Sequence, residues 1–235
     1  MTTLSSAAKV PKKVPVLLLA TNNVKKCGEL SALVKAMLQE EFSVCTLKEL
    51  QLDDVDFVED KDTFAGNARV KIDAIVNALR ERGQSDEVFA VLADDSGLVV
   101  DALDGGPGVR SARFASDFSA GEGDDDNNAL LLKKLKKVED KKRSARYACA
   151  ICLQTIGHDD VLEAFGTVEG HIARSAKGEG GFGYDPYFLP DECPGFHMAE
   201  LSADDKSAIS HRGKATRAVL AMLSDELSKN SEEEL

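Results

Sequence analysis

The 235-residue chain has no apolar run near the ~18 residues that a membrane-spanning helix requires, which argues against an integral membrane protein. It is short of positive charge: 29 Lys and Arg stand against 41 Asp and Glu, a formal net charge of −12. A general nucleic-acid binder carries the opposite balance. Residues 1 to 14 contain Ser, Thr and Lys but no arginine and no apolar core, so they read as a flexible extension (1–13) rather than a secretory leader or a transit peptide. A disulfide framework is missing too. The five cysteines, Cys27, Cys45, Cys149, Cys152 and Cys193, are odd in number and scattered, which suits free thiols in a reducing, cytoplasmic setting. Cys149 and Cys152 form a C-x-x-C, but their apolar surroundings read as a strand. Residues three apart on a strand point to opposite faces, so core packing is favoured over a redox or metal pair. No internal repeat is evident. The acidic stretch Gly121 to Asn128 lacks the acid and glycine spacing of a calcium loop. It reads instead as an acidic helix start, with the lysines that follow Leu132 at the helix end, as the helix dipole favours. The lysine-rich run continuing to Arg143 reads as a solvated helix end rather than a localisation or nucleic-acid patch.

What is present begins with Asp94-Asp95-Ser96-Gly97, set between the apolar runs 88–93 and 98–102. The second run leads into Gly105-Gly106-Pro107-Gly108 and the arginines Arg110 and Arg113. Strand ends that carry acids and open into flexible loops are where α/β proteins place metals and phosphates. The same four residues are also good β-turn chemistry, and the two readings stand level on this segment alone. On an extended strand end the adjacent carboxylates point in different directions, so they should not share one task.

Around this centre, 14–20 and 42–47 read as strands. Leu30, Leu33, Val34, Met37 and Leu38 mark a first amphipathic helix, and Phe64, Ala68, Ile72, Ile75, Val76 and Leu79 a second. Residues 144–156 and 161–172 read as a hairpin, and a last helix starts near Ser210 with Ala215, Val219, Met222 and Leu223 on one face. The order predicts an α/β fold with a mixed sheet and flanking helices. Residues 14–228 are expected to form a single domain, followed by a frayed acidic tail, 229–235.

Four further motifs complete the set. Thr21-Asn22-Asn23-Val24-Lys25-Lys26 lies at a strand-to-helix junction, where backbone N–H groups attract phosphate; an ordinary helix cap is the plain alternative. Asn67 and Lys71 are four apart and share a helix face. Gly180 to Pro186 is glycine-rich and aromatic. It satisfies the dinucleotide glycine spacing formally, but Pro186 bars the helix that such a site needs. Lys206 precedes Ser210-His211-Arg212.

These motifs, in this order from about Leu17 to Leu223, resemble the inosine triphosphate pyrophosphatase (HAM1-like) family, enzymes that hydrolyse non-standard purine nucleoside triphosphates. The resemblance implies a twisted mixed sheet with two lobes around a long nucleotide-binding cleft, a Mg²⁺ cofactor (with Mn²⁺ as substitute) and a homodimer, with no nucleic-acid or membrane partner. It implies conversion of ITP, dITP and XTP to the monophosphate and pyrophosphate, which would cleanse nucleotide pools. Asp95 would be general base and metal ligand, with Glu59 a second candidate metal ligand. Thr21 to Lys26, with Lys71, would bind the triphosphate, Lys26 and Lys71 serving catalysis. Ser96 would contact the nucleotide, and Asp94 would hold a metal-coordinated water or cap the turn. Phe182, Gly183, Tyr184 and Asp185 would hold the base, with Tyr184 stacking on it. Lys206, His211 and Arg212 supply the remaining contacts, His211 and Arg212 as donors to the purine carbonyl. The chain departs from the family pattern at Asn22, commonly glycine, and at Gly66, often glutamate. Three rivals remain: a pyrimidine-directed house-cleaning pyrophosphatase, a catalytically inactive nucleotide-binding protein, and a serine hydrolase, for which the nucleophile-elbow pattern is absent.

Overall fold

The computed structural model of the chain describes residues 14–38 and 42–233. The expected extension over 1–13 lies outside the described residues. Six strands form one sheet: β1 (Val16–Leu19), β2 (Ser43–Thr46), β3 (Ala90–Val100), β4 (Ser144–Thr155), β5 (Val161–Ile172) and β6 (Phe188–Pro190). The order is β2-β1-β3-β4-β5-β6, parallel across β2, β1 and β3 and antiparallel from β3 onward. The helices are α1 (Val24–Leu38), α2 (Phe64–Glu81), the single turn α3 (Phe114–Asp117), α4 (Gly123–Lys134), α5 (Ala203–Ile209) and α6 (His211–Glu233).

Three apolar clusters build the interior. On one face of the sheet Leu30 and Val34 of α1 meet Val219 and Leu223 of α6 over Leu17, Leu92 and Ile151. On the other, Ala68, Ile72 and Ile75 of α2 cover Leu18, Val91 and Ala93. The third cluster lies further along the sheet, where Leu131 and Leu135 pack on Leu98, Tyr147, Val168 and Phe188. The long strands serve both regions, so β3 contributes Ala90 to Ala93 to the first two clusters and Leu98 to the third. Cys149 belongs to one face and Cys152 to the other, both buried, as their spacing predicts.

Three expectations need correction. Asp94 to Gly97 is neither a turn nor a strand end. The residues pair in continuous antiparallel register with Ile151, Ala150, Cys149 and Ala148 inside one eleven-residue strand. The apolar run of β4 supplies a full ladder of partners, and tertiary pairing overrides local turn propensity. Met37 and Met222, expected in the core, are 37% and 43% exposed; Leu220 is buried on α6 in place of Met222. The acidic tail continues α6 as far as Glu233, because no glycine or proline follows Gly213 to stop the helix.

Close approach of α6 to β5 depends on Gly166. A methyl group there would run into the His211 carbonyl oxygen and lie 2.8 Å from the Ala215 nitrogen. Gly166→Ala should therefore lower stability by about 1–3 kcal/mol, the usual cost of overpacking. Urea unfolding measures it, and an unchanged midpoint would mean that α6 moves aside freely.

Candidate functional site

The polar stretch of β3 lies where the apolar clusters change over, and the two strand faces divide it. Asp94 and Ser96 face α1 and α6; Asp95 faces α2. A cleft of about 270 Å³ opens here. It is lined by the N-terminal turn of α1, the loop before α2, β3, the helical turn at 108–113, the 182–185 loop and the start of α6.

Asp94 is wholly buried. Its Oδ2 lies 3.1 Å from Lys26 Nζ and 3.3 Å from Arg212 Nε, and it accepts from the Ser96 hydroxyl at 3.3 Å. Burial opposes its ionisation, but Lys26, Arg212 and Lys71 outweigh that and hold it well below the usual carboxylate range. It is thus a structural counter-ion rather than the cap of a turn. Arg212, 2% exposed, is engaged on all three nitrogens: Nε with Asp94, Nη1 with Glu29 and Nη2 with the Ser96 hydroxyl at 2.9 Å.

Asp95 lines the cleft. Its Oδ2 accepts from Asn67 Nδ2 at 2.9 Å and its Oδ1 from the Ser96 N–H at 2.9 Å. Burial raises its pKa, and Lys71, Lys26 and Asn67 pull back only partly. Lys71 and Asn67, which sequence alone would set on a solvated helix face, are both buried. Lys71 Nζ donates to the Asp94 carbonyl at 2.8 Å and pairs with Glu59. Burial works against its charge, yet Asp94, Glu59 and Asp95 leave its pKa raised.

Most of the residues singled out from sequence converge on this cleft: Thr21, Asn22, Asn23 and Lys26; Glu59 and Lys71; Asp95 and Ser96; Phe182 to Asp185; Lys206, His211 and Arg212. Two do not line it. Val24 is 84% exposed, and Lys25 sits at the rim, 3.7 Å from Asp124. Asn23 also performs the plain structural task, since its Oδ1 caps α1 by accepting from the N–H groups of Lys25 and Lys26 at 3.0 and 3.1 Å.

The aromatic assignments shift. Tyr184 lines the cleft and is otherwise buried in the third cluster, its hydroxyl donating to the Ser111 carbonyl at 2.8 Å. Phe182 is half-buried at the cleft, as is Phe57, and lies within 6 Å of three cations: Lys206 at 4.9 Å, Lys25 at 5.5 Å and Arg212 at 5.8 Å. His211 stacks on Tyr147 at 4.8 Å with planes 10° apart. Its Nδ1 is buried without a partner. Burial, then Arg212, Lys206 and Lys26, push its pKa well below the ordinary value, so the imidazole is neutral, with one donor and one acceptor nitrogen.

Sequence reasoning missed Phe57, Asp124 and Tyr147 in the lining, and Glu29 behind it. Glu29 pairs Lys206 at 2.9 Å and also Arg212. Its place one turn after Lys25 on α1 was the available signal. Asp124 sits in a run of three like residues, and nothing local separates it from Asp125 and Asp126.

Among the described residues no group of three or more His, Cys, Asp or Glu gathers around a metal position. That set does not form a closed protein cage. It does fit Mg²⁺, which is typically held by one or two carboxylates plus waters and substrate phosphates. Asp95 and Glu59 both line the cleft, and each Asp95 oxygen has one protein donor, leaving further acceptor capacity.

Comparison with known proteins places the chain beside relatives in sequence and fold. The profile of the Ham1 family matches residues 17–222. A dITP/XTP pyrophosphatase of Corynebacterium glutamicum is 38% identical over 207 residues, covering 87% of this chain and 94% of the relative. Another from an Exiguobacterium strain is 42% identical over 207 residues, covering 87% and 95%. The solved structure of the Staphylococcus aureus Ham1 protein superposes with a TM-score of 0.72 at 36% identity, covering 90% of this chain and 99% of that one.

The state of His211 has a consequence for stability. The folded protein resists its protonation, while the unfolded chain protonates near 6.5. Below that value the unfolded state binds more protons, so stability falls as pH falls, by at most about 1.4 kcal/mol per pH unit from this group. His211→Gln should flatten the stability profile between pH 6.5 and 5 relative to wild type. Parallel profiles in urea titrations would show that the imidazole does not remain neutral in the fold.

Proposed function

The chain belongs to the Ham1 family, and from that premise we propose that it hydrolyses non-standard purine nucleoside triphosphates, ITP, dITP and XTP, to the monophosphate and pyrophosphate. The observation that carries this reading is the meeting, in one cleft, of the Asp95 carboxylate, the lysines Lys26 and Lys71, and a base-side group made of Phe182, Asp185, Lys206 and His211.

At the phosphate end, the raised pKa of Asp95 makes its carboxylate a stronger base. Asn67 and the Ser96 N–H fix its orientation toward an attacking water at the α-phosphorus. Lys26 and Lys71, which both line the cleft, would stabilise the charge that develops on the departing pyrophosphate. Mg²⁺, when bound with the substrate, would be held by Asp95 and Glu59 and would neutralise phosphate charge. A local group of cations thus answers the difficulty that a protein of net charge −12 poses for an anionic substrate.

At the base end, the Phe182 ring offers a face on which any purine can stack. Hypoxanthine and xanthine carry a carbonyl at position 6 where adenine carries an amine, so a donor in the pocket favours them. His211, neutral and lining the cleft, supplies that donor most directly. Arg212, bound to Asp94, Glu29 and Ser96, holds the site in shape and has its remaining N–H groups for the base. A cytoplasmic homodimer belongs to the same reading. The free cysteines suit a reducing compartment, and the exposed Phe165 and Phe196 suit a subunit contact.

Pyrophosphate release from ITP, XTP, ATP and UTP with Mg²⁺ tests the proposal. Release should be fastest from ITP and XTP. A preference for UTP would indicate the pyrimidine-directed rival, and no release from any triphosphate would leave only a binding protein. In the same assay Asp95→Asn should lower kcat by ~10² or more, the scale of lost general-base catalysis. Turnover like wild type in that variant would remove Asp95 from the chemistry.

A further inference from the structure

Helix α4 grips the base-side loop at a single residue. Asp124 and Asn128 are one turn apart and share a face of the helix. Asp124 Oδ2 accepts from the Gly183 N–H at 2.9 Å. Asn128 Nδ2 donates to the Gly183 carbonyl at 2.9 Å. Both backbone polar groups of Gly183 are therefore held by side chains of one helix, with Gly183 in the left-handed region at φ +64°. The helix is itself fixed from the neighbouring position. Asn127 Oδ1 accepts from the Ala115 N–H at 2.7 Å and Asn127 Nδ2 donates to the Ala112 carbonyl at 3.1 Å.

The residues on either side of Gly183 differ. Tyr184 is anchored in the third apolar cluster. Phe182 belongs to none of the three clusters. Its ring lies among the cations of the cleft, and its N–H donates to Asp185 Oδ2 at 2.9 Å. Little apolar packing positions that ring, so the backbone on either side of it must do so. On the N-terminal side Asp185 holds the Phe182 N–H and Gly181, at φ +77°, lies close against the Asp185 carboxylate; on the C-terminal side the hold is on Gly183.

We propose that Asp124 and Asn128 are positioning residues for the base: by clasping Gly183 they set the Phe182 ring where a purine stacks, and so determine how tightly the purine is held. The proposal rests on the purine triphosphate reading above. Because the clasp acts on the base and not on the reacting phosphate, its loss should appear in KM more than in kcat.

The test uses the full-length protein, with kinetics on ITP and hydrogen exchange at the Gly183 amide. Asp124→Ala and Asn128→Ala should each raise KM about 3- to 10-fold, the range for one lost hydrogen bond, with kcat changed less than about two-fold. Exchange at Gly183 should accelerate. Asp124→Asn keeps an acceptor oxygen for the Gly183 N–H and should stay within about two-fold of the wild-type KM. Phe182→Ala should raise KM by itself, and adding Asn128→Ala to it should raise KM no further. Should Asn128→Ala not fold, Asn128→Asp sets an acceptor against the Gly183 carbonyl, and the same KM rise is expected. Additive effects with Phe182→Ala would overturn the proposal, as would kcat losses at unchanged KM. Equal damage in Asp124→Asn and Asp124→Ala would do so too, by placing the effect on the charge facing Lys25. Wild-type KM and wild-type amide protection in both alanine variants would sink the clasp while leaving ITP hydrolysis standing. If the wild-type protein does not hydrolyse ITP, the functional reading fails, and the exchange measurement alone decides whether the clasp exists.

Discussion

The cleft is organised around one buried charge, the Asp94 carboxylate. An ionised carboxylate in the interior costs several kcal/mol unless it is paired and hydrogen-bonded. The chain offsets that cost at Oδ2, with Lys26 from α1, Arg212 from α6 and Ser96 on the same strand, while Oδ1 is buried without a hydrogen-bond partner. The pairing draws the starts of two helices, distant in sequence, to one point on β3. Lys26 and Arg212, which both line the cleft, are held in position by the same anion, so two sides of the cleft share one support. Removing Asp94 would leave Lys26 and the buried Arg212 facing each other without their shared anion.

The same logic extends outward. Lys71 is matched by Glu59, Lys206 by Glu29 and Asp185, Arg212 by Glu29 as well as Asp94, and Lys25 by Asp124. Each cation of the cleft therefore has a carboxylate partner before any substrate arrives. Long basic side chains lose much rotamer freedom on binding an anion; these have already lost it. The pairs also let an acidic protein of net charge −12 concentrate lysines and an arginine in one place without mutual repulsion dominating.

Local patterning made much of this legible. The strand-turn-helix at 17–30, the apolar face of α2, the β4–β5 hairpin and the opposed Cys149 and Cys152 all follow from periodicity that the tertiary structure leaves intact. The candidate site residues were legible through their motifs, and most of them reach the cleft. What stayed hidden depended on partners far away in sequence. Asp94 to Gly97 looks like a turn until β4 supplies its ladder. That Tyr184 is anchored by its hydroxyl on the Ser111 carbonyl emerges only in the fold. Asn67 and Lys71 look solvated until β3 covers them. Asp124 is indistinguishable from Asp125 and Asp126 until Gly183 comes within hydrogen-bonding distance.

The continuity of β3 explains why two adjacent acids cannot exchange roles. Within a strand, alternation sends successive side chains to opposite faces. Asp94 is delivered to the side of α1 and α6, where cations close over it and water is excluded. Asp95 is delivered to the side of α2, where Asn67 and the Ser96 N–H orient it but the cleft stays open beside it. Cations outweigh burial at the first and drive its pKa down; burial outweighs cations at the second and drives its pKa up. A turn at this position would have placed both acids in solvent with similar properties. The paired strand separates them into a buried counter-ion and a cleft-facing carboxylate with a raised pKa, so the feature that sequence reading missed is the one that sets the two acids apart.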